Sequence, residues 1–147
     1  MKKRIKFFDP NIPRKRKISD KNFQFIPGTK IPLPSEIEIS ESGTCNRVCS
    51  FCPRSDPNYE DIKQFISNDL HNKLCKELSD LNYSGVIRYS GFVEPLLDKN
   101  IYNLLHSAKN NLPEARIEIV TNGDVLNRSR LIKLFKNGLD TILISVY

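Results

Sequence analysis

What most constrains this chain is the order in which apolar segments of two different periods follow one another. Glu36-Ile-Glu-Ile-Ser40 alternates and predicts a strand. Leu70, Leu74, Leu78 and Leu81 recur at helical spacing and predict a helix over 68–81, with Ser67 or Asn68 as its N-cap. Gly85-Val-Ile-Arg-Tyr-Ser90 predicts a second strand ended by Gly91. Ile101, Leu104, Leu105 and Ala108 share one face of a helix over 99–110, which closes before Pro113. Arg116-Ile-Glu-Ile-Val-Thr121 predicts a third strand leading into the turn Asn122-Gly123. Leu131, Ile132, Leu134 and Phe135 mark a helix over 128–137, with Gly138 suited to the C′ position. Thr141-Ile-Leu-Ile-Ser145-Val-Tyr147 predicts a fourth strand, apolar enough to be buried on both faces.

The order βαβαβαβ implies an α/β fold built of parallel strands joined by right-handed helical crossovers. In such sheets and barrels ligands sit at the carboxyl ends of the strands. That edge would carry the loop after strand one, Gly91-Phe-Val-Glu94-Pro95, Thr121-Asn-Gly-Asp124 and Ser145. Polar features from four separate strands thus fall on one rim.

Residues 1–35 have a different character. Residues 1–30 hold ten Lys/Arg against two Asp, so the net charge of +6 belongs wholly to this leader. Lys2-Lys3-Arg4 and Arg14-Lys-Arg-Lys17 carry most of it, and five of the nine prolines precede residue 35. Proline fixes φ and removes donors, so the stretch is expected to be extended. We read it as a solvated arm, with phosphate contact to nucleic acid through residues 1–30 as the competing reading. Asp9 and Pro10 interrupt any hydrophobic region behind the basic N-terminus, so a secretion signal is not expected. With 39% hydrophobic and 27% charged residues, the chain is neither a disordered tail nor a membrane protein. We therefore expect a cytoplasmic protein with a 1–35 leader and a folded unit over 36–147.

The chemistry lies in Cys45-Asn-Arg-Val-Cys49-Ser-Phe-Cys52-Pro53. Three thiols on one short loop suit a soft metal centre, and an odd number cannot all pair as disulfides. A closed zinc site wants four ligands, which Cys75 could complete. Cys75 lies among the helix leucines, however, and reads better as a buried thiol. His71 and His106 read as ordinary helix-surface residues. Three ligands and a vacancy instead describe a 4Fe–4S cluster with one iron open.

The C-x3-C-x2-C loop, with an aromatic before its last cysteine and placed after the first strand of a βα repeat, resembles the radical S-adenosylmethionine (radical SAM) superfamily. Ser90-Gly-Phe-Val-Glu-Pro-Leu-Leu97 is similar to that family's glycine-rich Glu-Pro segment, Ile119-Val-Thr-Asn-Gly123 to its Thr-Asn-Gly turn, and Ile144-Ser-Val146 to its fourth-strand serine segment. The resemblance covers residues 36–147 in order. It implies an incomplete TIM barrel of about four strands and three helices, a 4Fe–4S cluster on Cys45, Cys49 and Cys52, and S-adenosylmethionine as cosubstrate. Phe51 would then face the adenine, and Gly91, Phe92, Val93 and Glu94 would hold the methionine amino group. Ser145 would lie near the ribose and carboxylate, flanked by Thr121 and Asn122. A 5′-deoxyadenosyl radical would abstract hydrogen from a small-molecule or peptide substrate, with an external electron donor.

Two departures stand out. Val93 occupies the place of a glycine common in the family, and the chain ends inside its fourth strand where the family's barrel runs to six. A fragment is therefore expected, or a barrel completed by a further domain or chain. The resemblance competes with a four-cysteine zinc module bearing a basic arm for nucleic acid, and with an inactive cluster-binding fragment. Glu94 could serve only to cap the next helix, Thr121-Asn-Gly only to turn the chain, and Ser145 only to satisfy a backbone group.

Overall fold

The computed structural model of the chain describes residues 24–146. The two basic runs of the leader lie outside these residues. Four strands, β1 (Glu36–Ile39), β2 (Val86–Tyr89), β3 (Arg116–Thr121) and β4 (Thr141–Ile144), form one parallel sheet in the order β1-β2-β3-β4. The crossovers contain α1 (Asn68–Asp80), α2 (Ile101–Asn111) and α3 (Arg128–Lys136). Strand order that follows sequence order, with crossovers of one hand, puts every helix on the same face of the sheet, as in an arc of a TIM barrel.

Alternation sets the two faces apart. Ile39, Ile87, Tyr89, Ile117 and Ile119 pack in one buried cluster with Cys75, Leu78, Leu104, Leu105, Ala108 and Leu134 of the helices. Each buried Ile or Leu side chain contributes about 1.5–3 kcal/mol by leaving water. The alternate residues, Glu36, Glu38, Arg88, Arg116 and Glu118, share the opposite face, which no helix among the described residues covers.

The helix ends follow local chemistry. Ser67 Oγ accepts from Leu70 N at 3.2 Å to cap α1, and Asn127 caps α3 through Arg130 N at 2.9 Å. Gly138, at φ +98°, lets α3 close with Gly138 N donating to Phe135 O and Leu139 N to Leu134 O, a Schellman end.

Four expectations need correction. Leu70 is 57% exposed, because the inward stripe of α1 runs through His71, Cys75 and Leu78. His71 is accordingly buried, not on the helix surface: its ring lies 2.7 Å from Tyr89 Oη, a hydrogen bond that lets a polar ring replace a leucine in the core. Burial holds the imidazole below its ordinary pKa. On α3 only Leu134 is buried, and Ile132 and Phe135 stay largely exposed because a helix on one face of a sheet buries a single stripe. Finally β4 ends at Ile144 and is half-buried rather than buried on both faces, since among the described residues it is an edge strand with one neighbour. His106 is exposed and Cys75 buried, as expected.

Residues 24–35, read as extended, fold back on themselves through an antiparallel bridge between Phe25 and Pro32. Gln24 joins them to the α1–β2 loop by hydrogen bonds with Asn82 O and Ser84 N, both 3.0 Å. No helix among the described residues is long and apolar enough to cross a membrane.

Candidate functional site

The loop that follows β1 carries Cys45, Cys49 and Cys52, all half-buried free thiols. Within the loop Cys52 N donates to Cys49 O and Ser55 N to Cys52 O, both at 2.9 Å, and a short 3-10 turn, Pro53–Ser55, continues it. Arg47 N donates to Cys45 Sγ at 3.4 Å.

Two clamps hold this loop over the sheet. On the β3 side Asp124 accepts from Arg47 Nε at 2.8 Å and from Asn46 Nδ2 at 3.0 Å, and it pairs with Arg47 Nη2 as well. Asn122 Nδ2 completes the contact at Asn46 Oδ1, 2.8 Å. The Arg47 hydrogen bonds hold the Asp124 carboxyl below the usual carboxylate range, and Asp124, with the nearby Cys49 and Cys45, raises the guanidinium. On the β2 side Arg54 is buried and donates to Gly43 O at 3.1 Å and Phe92 O at 3.2 Å, while pairing with Asp61. Sequence reasoning missed both clamps. Arg47 and Asp124 are 77 residues apart, so no local pattern links them.

The segment after β2 begins at Gly91, whose φ of +118° only glycine adopts readily, and a Cβ there would stand 2.2 Å from Ser40 Oγ. Glu94 follows, 1% exposed. Its Oε1 accepts from Leu96 N at 3.0 Å and Thr121 Oγ1 at 2.6 Å, and Oε2 from Asn122 N at 2.7 Å. It thus caps the turn Pro95–Leu97 and also joins the ends of β2 and β3. Thr121-Asn-Gly is likewise more than a turn: Thr121 Oγ1 both donates to Glu94 and accepts from Gly123 N at 3.1 Å. Ser145 N donates to Thr121 O at 2.8 Å, extending the β4 contact one residue beyond the strand.

These segments enclose a cleft of about 230 Å³. Cys45, Cys49, Phe51 and Cys52 line it from the loop, and Gly91, Phe92, Val93 and Glu94 from the end of β2. Thr121 and Asn122 line it from β3, and Ser145 from β4. All eleven residues singled out from the sequence therefore meet around one cavity. Arg47 and Arg54 line it too and bring positive charge near the thiols.

The donor set decides what the cleft can hold. Among the described residues no three Cys, His, Asp or Glu side chains gather closely enough for a single metal ion. The four-cysteine zinc site is not assembled: Cys75 is 1% exposed in the helix–sheet core, and burial pushes its thiol up to about 11. A 4Fe–4S cluster asks for something else, one thiolate on each of three irons, and three soft thiols facing one cleft fit that demand.

A second acidic group lies within electrostatic reach of Glu94. Glu41 is fully buried next to Ser42 Oγ at 3.2 Å, its Oε2 has no hydrogen-bond partner among the described residues, and burial pushes its carboxyl up to about 7. Asp98, buried in the same region, is also raised by burial.

Comparison with known proteins places this geometry. The family model for the radical SAM superfamily matches residues 39–147. The S-adenosyl-L-methionine-dependent 2-deoxy-scyllo-inosamine dehydrogenase of Niallia circulans is 33% identical over 113 residues, 77% of this chain. The chain spans 45% of that relative's length. The crystal structure of BtrN in complex with AdoMet and 2-DOIA superposes with a TM-score of 0.72 at 33% identity, covering 76% of this chain and 45% of that one. BtrN in an open conformation gives 0.70 at 33% identity, over 76% and 50%.

Proposed function

The chain belongs to the radical SAM superfamily, whose enzymes use a 4Fe–4S cluster and S-adenosylmethionine, and from that premise we propose that its cleft binds both and serves hydrogen abstraction from a small hydroxylated substrate. When bound, the two groups supply one-electron cleavage of the sulfonium and a 5′-deoxyadenosyl radical, which takes a hydrogen atom from a substrate C–H.

Each residue then has a task. Cys45, Cys49 and Cys52 ligate three irons, and Arg47 and Arg54 offset the negative charge of the thiolates. The backbone carbonyls of Gly91 and Val93 take the methionine ammonium, because Phe92 O already accepts from Arg54, and Glu94 positions the segment, since its carboxylate is committed to Leu96, Thr121 and Asn122. Phe51, 64% exposed on the loop, packs by the adenine. Thr121, Asn122 and Ser145 attend the ribose and carboxylate.

Similarity to a dehydrogenase supports oxidation of a C–OH group as the outcome. Such an oxidation would give up the carbon-bound hydrogen as an atom, yielding 5′-deoxyadenosine, and the hydroxyl proton to water. The remaining electron would pass to a one-electron acceptor of the iron–sulfur class. An external donor of the same class supplies the electron that starts the reaction.

The observation that carries this reading is the convergence of residues from four strand ends on one cleft beside three thiols. Anaerobic reconstitution with iron and sulfide tests it. We expect about four irons per chain, their loss in Cys49→Ala but not in Cys75→Ala, and 5′-deoxyadenosine on adding a strong reductant. A colourless protein, or a Cys49→Ala variant that keeps its iron, overturns the cluster assignment. A full cluster that yields no 5′-deoxyadenosine leaves only the cluster-binding part.

A further inference from the structure

The face of the sheet turned away from the helices carries five charged residues, and four of them neutralise one another. Arg88 reaches across β1 and β3: it pairs with Glu36 and donates from Nε and Nη2 to Glu118 Oε2 at 3.2 and 2.9 Å. Arg116 Nε completes the chain at Glu118 Oε1, 2.9 Å. Glu38, in register with Arg88, is exposed and makes no hydrogen bond or ion pair with any described residue. Three carboxylates against two guanidiniums leave one negative charge, and it is concentrated at Glu38.

Glu38 sits where it could be used. Its Oε1 is 3.7 Å from the position a Cβ on Gly91 would take. With Ser40 and Arg88 it lines a hollow of about 410 Å³ whose remaining wall includes Gly91, Phe92 and Val120, residues that also line the cysteine cleft. The two cavities therefore adjoin across a shared wall at Gly91.

We propose that this hollow is the substrate end of the site and that Glu38 is a specificity-determining residue for a small hydroxylated substrate bearing an amine. The ammonium pairs with the Glu38 carboxylate, the one charge on this face without a partner among the described residues. The Ser40 hydroxyl, which donates to Ser90 O at 2.9 Å, keeps acceptor lone pairs for a substrate hydroxyl. Phe92, 54% exposed, offers an apolar wall. The inference rests on the reading of the adjoining cleft as the cofactor site.

The test uses a pair of ligands that differ only in ammonium for hydroxyl, scyllo-inosamine and scyllo-inositol. Each is titrated calorimetrically into the full reconstituted chain with S-adenosylmethionine present, and into the chain without cofactors. A charge-assisted contact should give the amine about tenfold tighter binding. That preference should vanish in Glu38→Gln and partly return in Glu38→Asp, with iron content and S-adenosylmethionine binding unchanged. An equal affinity for the two ligands in the unsubstituted protein, or an amine preference that survives Glu38→Gln, overturns the proposal. Failure of the cofactor reading would show separately, as missing iron or S-adenosylmethionine binding in the unsubstituted chain.

Discussion

Replacing Glu94 by Gln should be costly, because the amide cannot reproduce what the carboxylate does. Three donors converge on this 1% exposed group: Leu96 N and Thr121 Oγ1 on one oxygen, Asn122 N on the other. A glutamine presents one oxygen and one NH2, so in either orientation a donor is set against a donor. One charge-assisted hydrogen bond is lost, at about 1.5–3 kcal/mol, and a buried donor is left unpaired, at about 1–3 kcal/mol. Partial relaxation makes the two less than additive, so about 2–4 kcal/mol is expected in total. For a chain of this size that corresponds to a fall in Tm of roughly 5–15 °C. Far-UV circular dichroism melts of Glu94→Gln, Thr121→Val and the double variant would measure it. The double variant should be less destabilised than the sum of the singles by at least about 0.5 kcal/mol, since both remove the same 2.6 Å bond. A Glu94→Gln melt within about 2 °C of the parent, or strict additivity, would mean that Glu94 only caps the turn after it and does not join β2 to β3.

Two further outcomes follow from the same geometry. Burial raises the Glu41 carboxyl from 4.5 to about 7, so the folded chain holds this proton more tightly than the unfolded one. Its stabilising share is complete below about pH 4.5 and is lost as pH rises to about 7, roughly 3 kcal/mol in all, with Asp98 acting in the same direction. Urea midpoints at pH 5 and 8 should therefore differ more in the parent than in Glu41→Gln, and equal differences would contradict this. Gly91→Ala forces a side chain into φ +118° against Ser40 Oγ at 2.2 Å, so a loss of about 1–3 kcal/mol is expected. A variant as stable as the parent in urea would show that the segment can take another path.

Much of the fold was legible along the chain, because strand and helix impose different periods and the two alternate through the sequence. That the eleven candidate residues line one cleft was legible for a related reason: strand ends in a parallel sheet share one edge, so motifs that follow successive strands meet there. Legibility failed where the answer depended on a partner far away in sequence. The leucine spacing of α1 put His71 on the helix surface, because Tyr89, which supplies the hydrogen bond that buries the imidazole, lies 18 residues away. That α3 exposes Ile132 and Phe135 was not legible, because nothing local says how wide a stripe its neighbours cover.

Sequence alone thus determined the element types, their parallel order and the three thiols, all properties of periodicity and side-chain chemistry over a few residues. Only the tertiary structure decided that Arg47 and Arg54 clamp the cysteine loop from two sides and that Glu94 joins two strand ends. It alone left Glu38 as the inner-face charge without a partner among the described residues. Those are matters of which charge finds which across tens of residues, and electrostatic pairing at that range is fixed by the packed backbone and leaves no period in the chain.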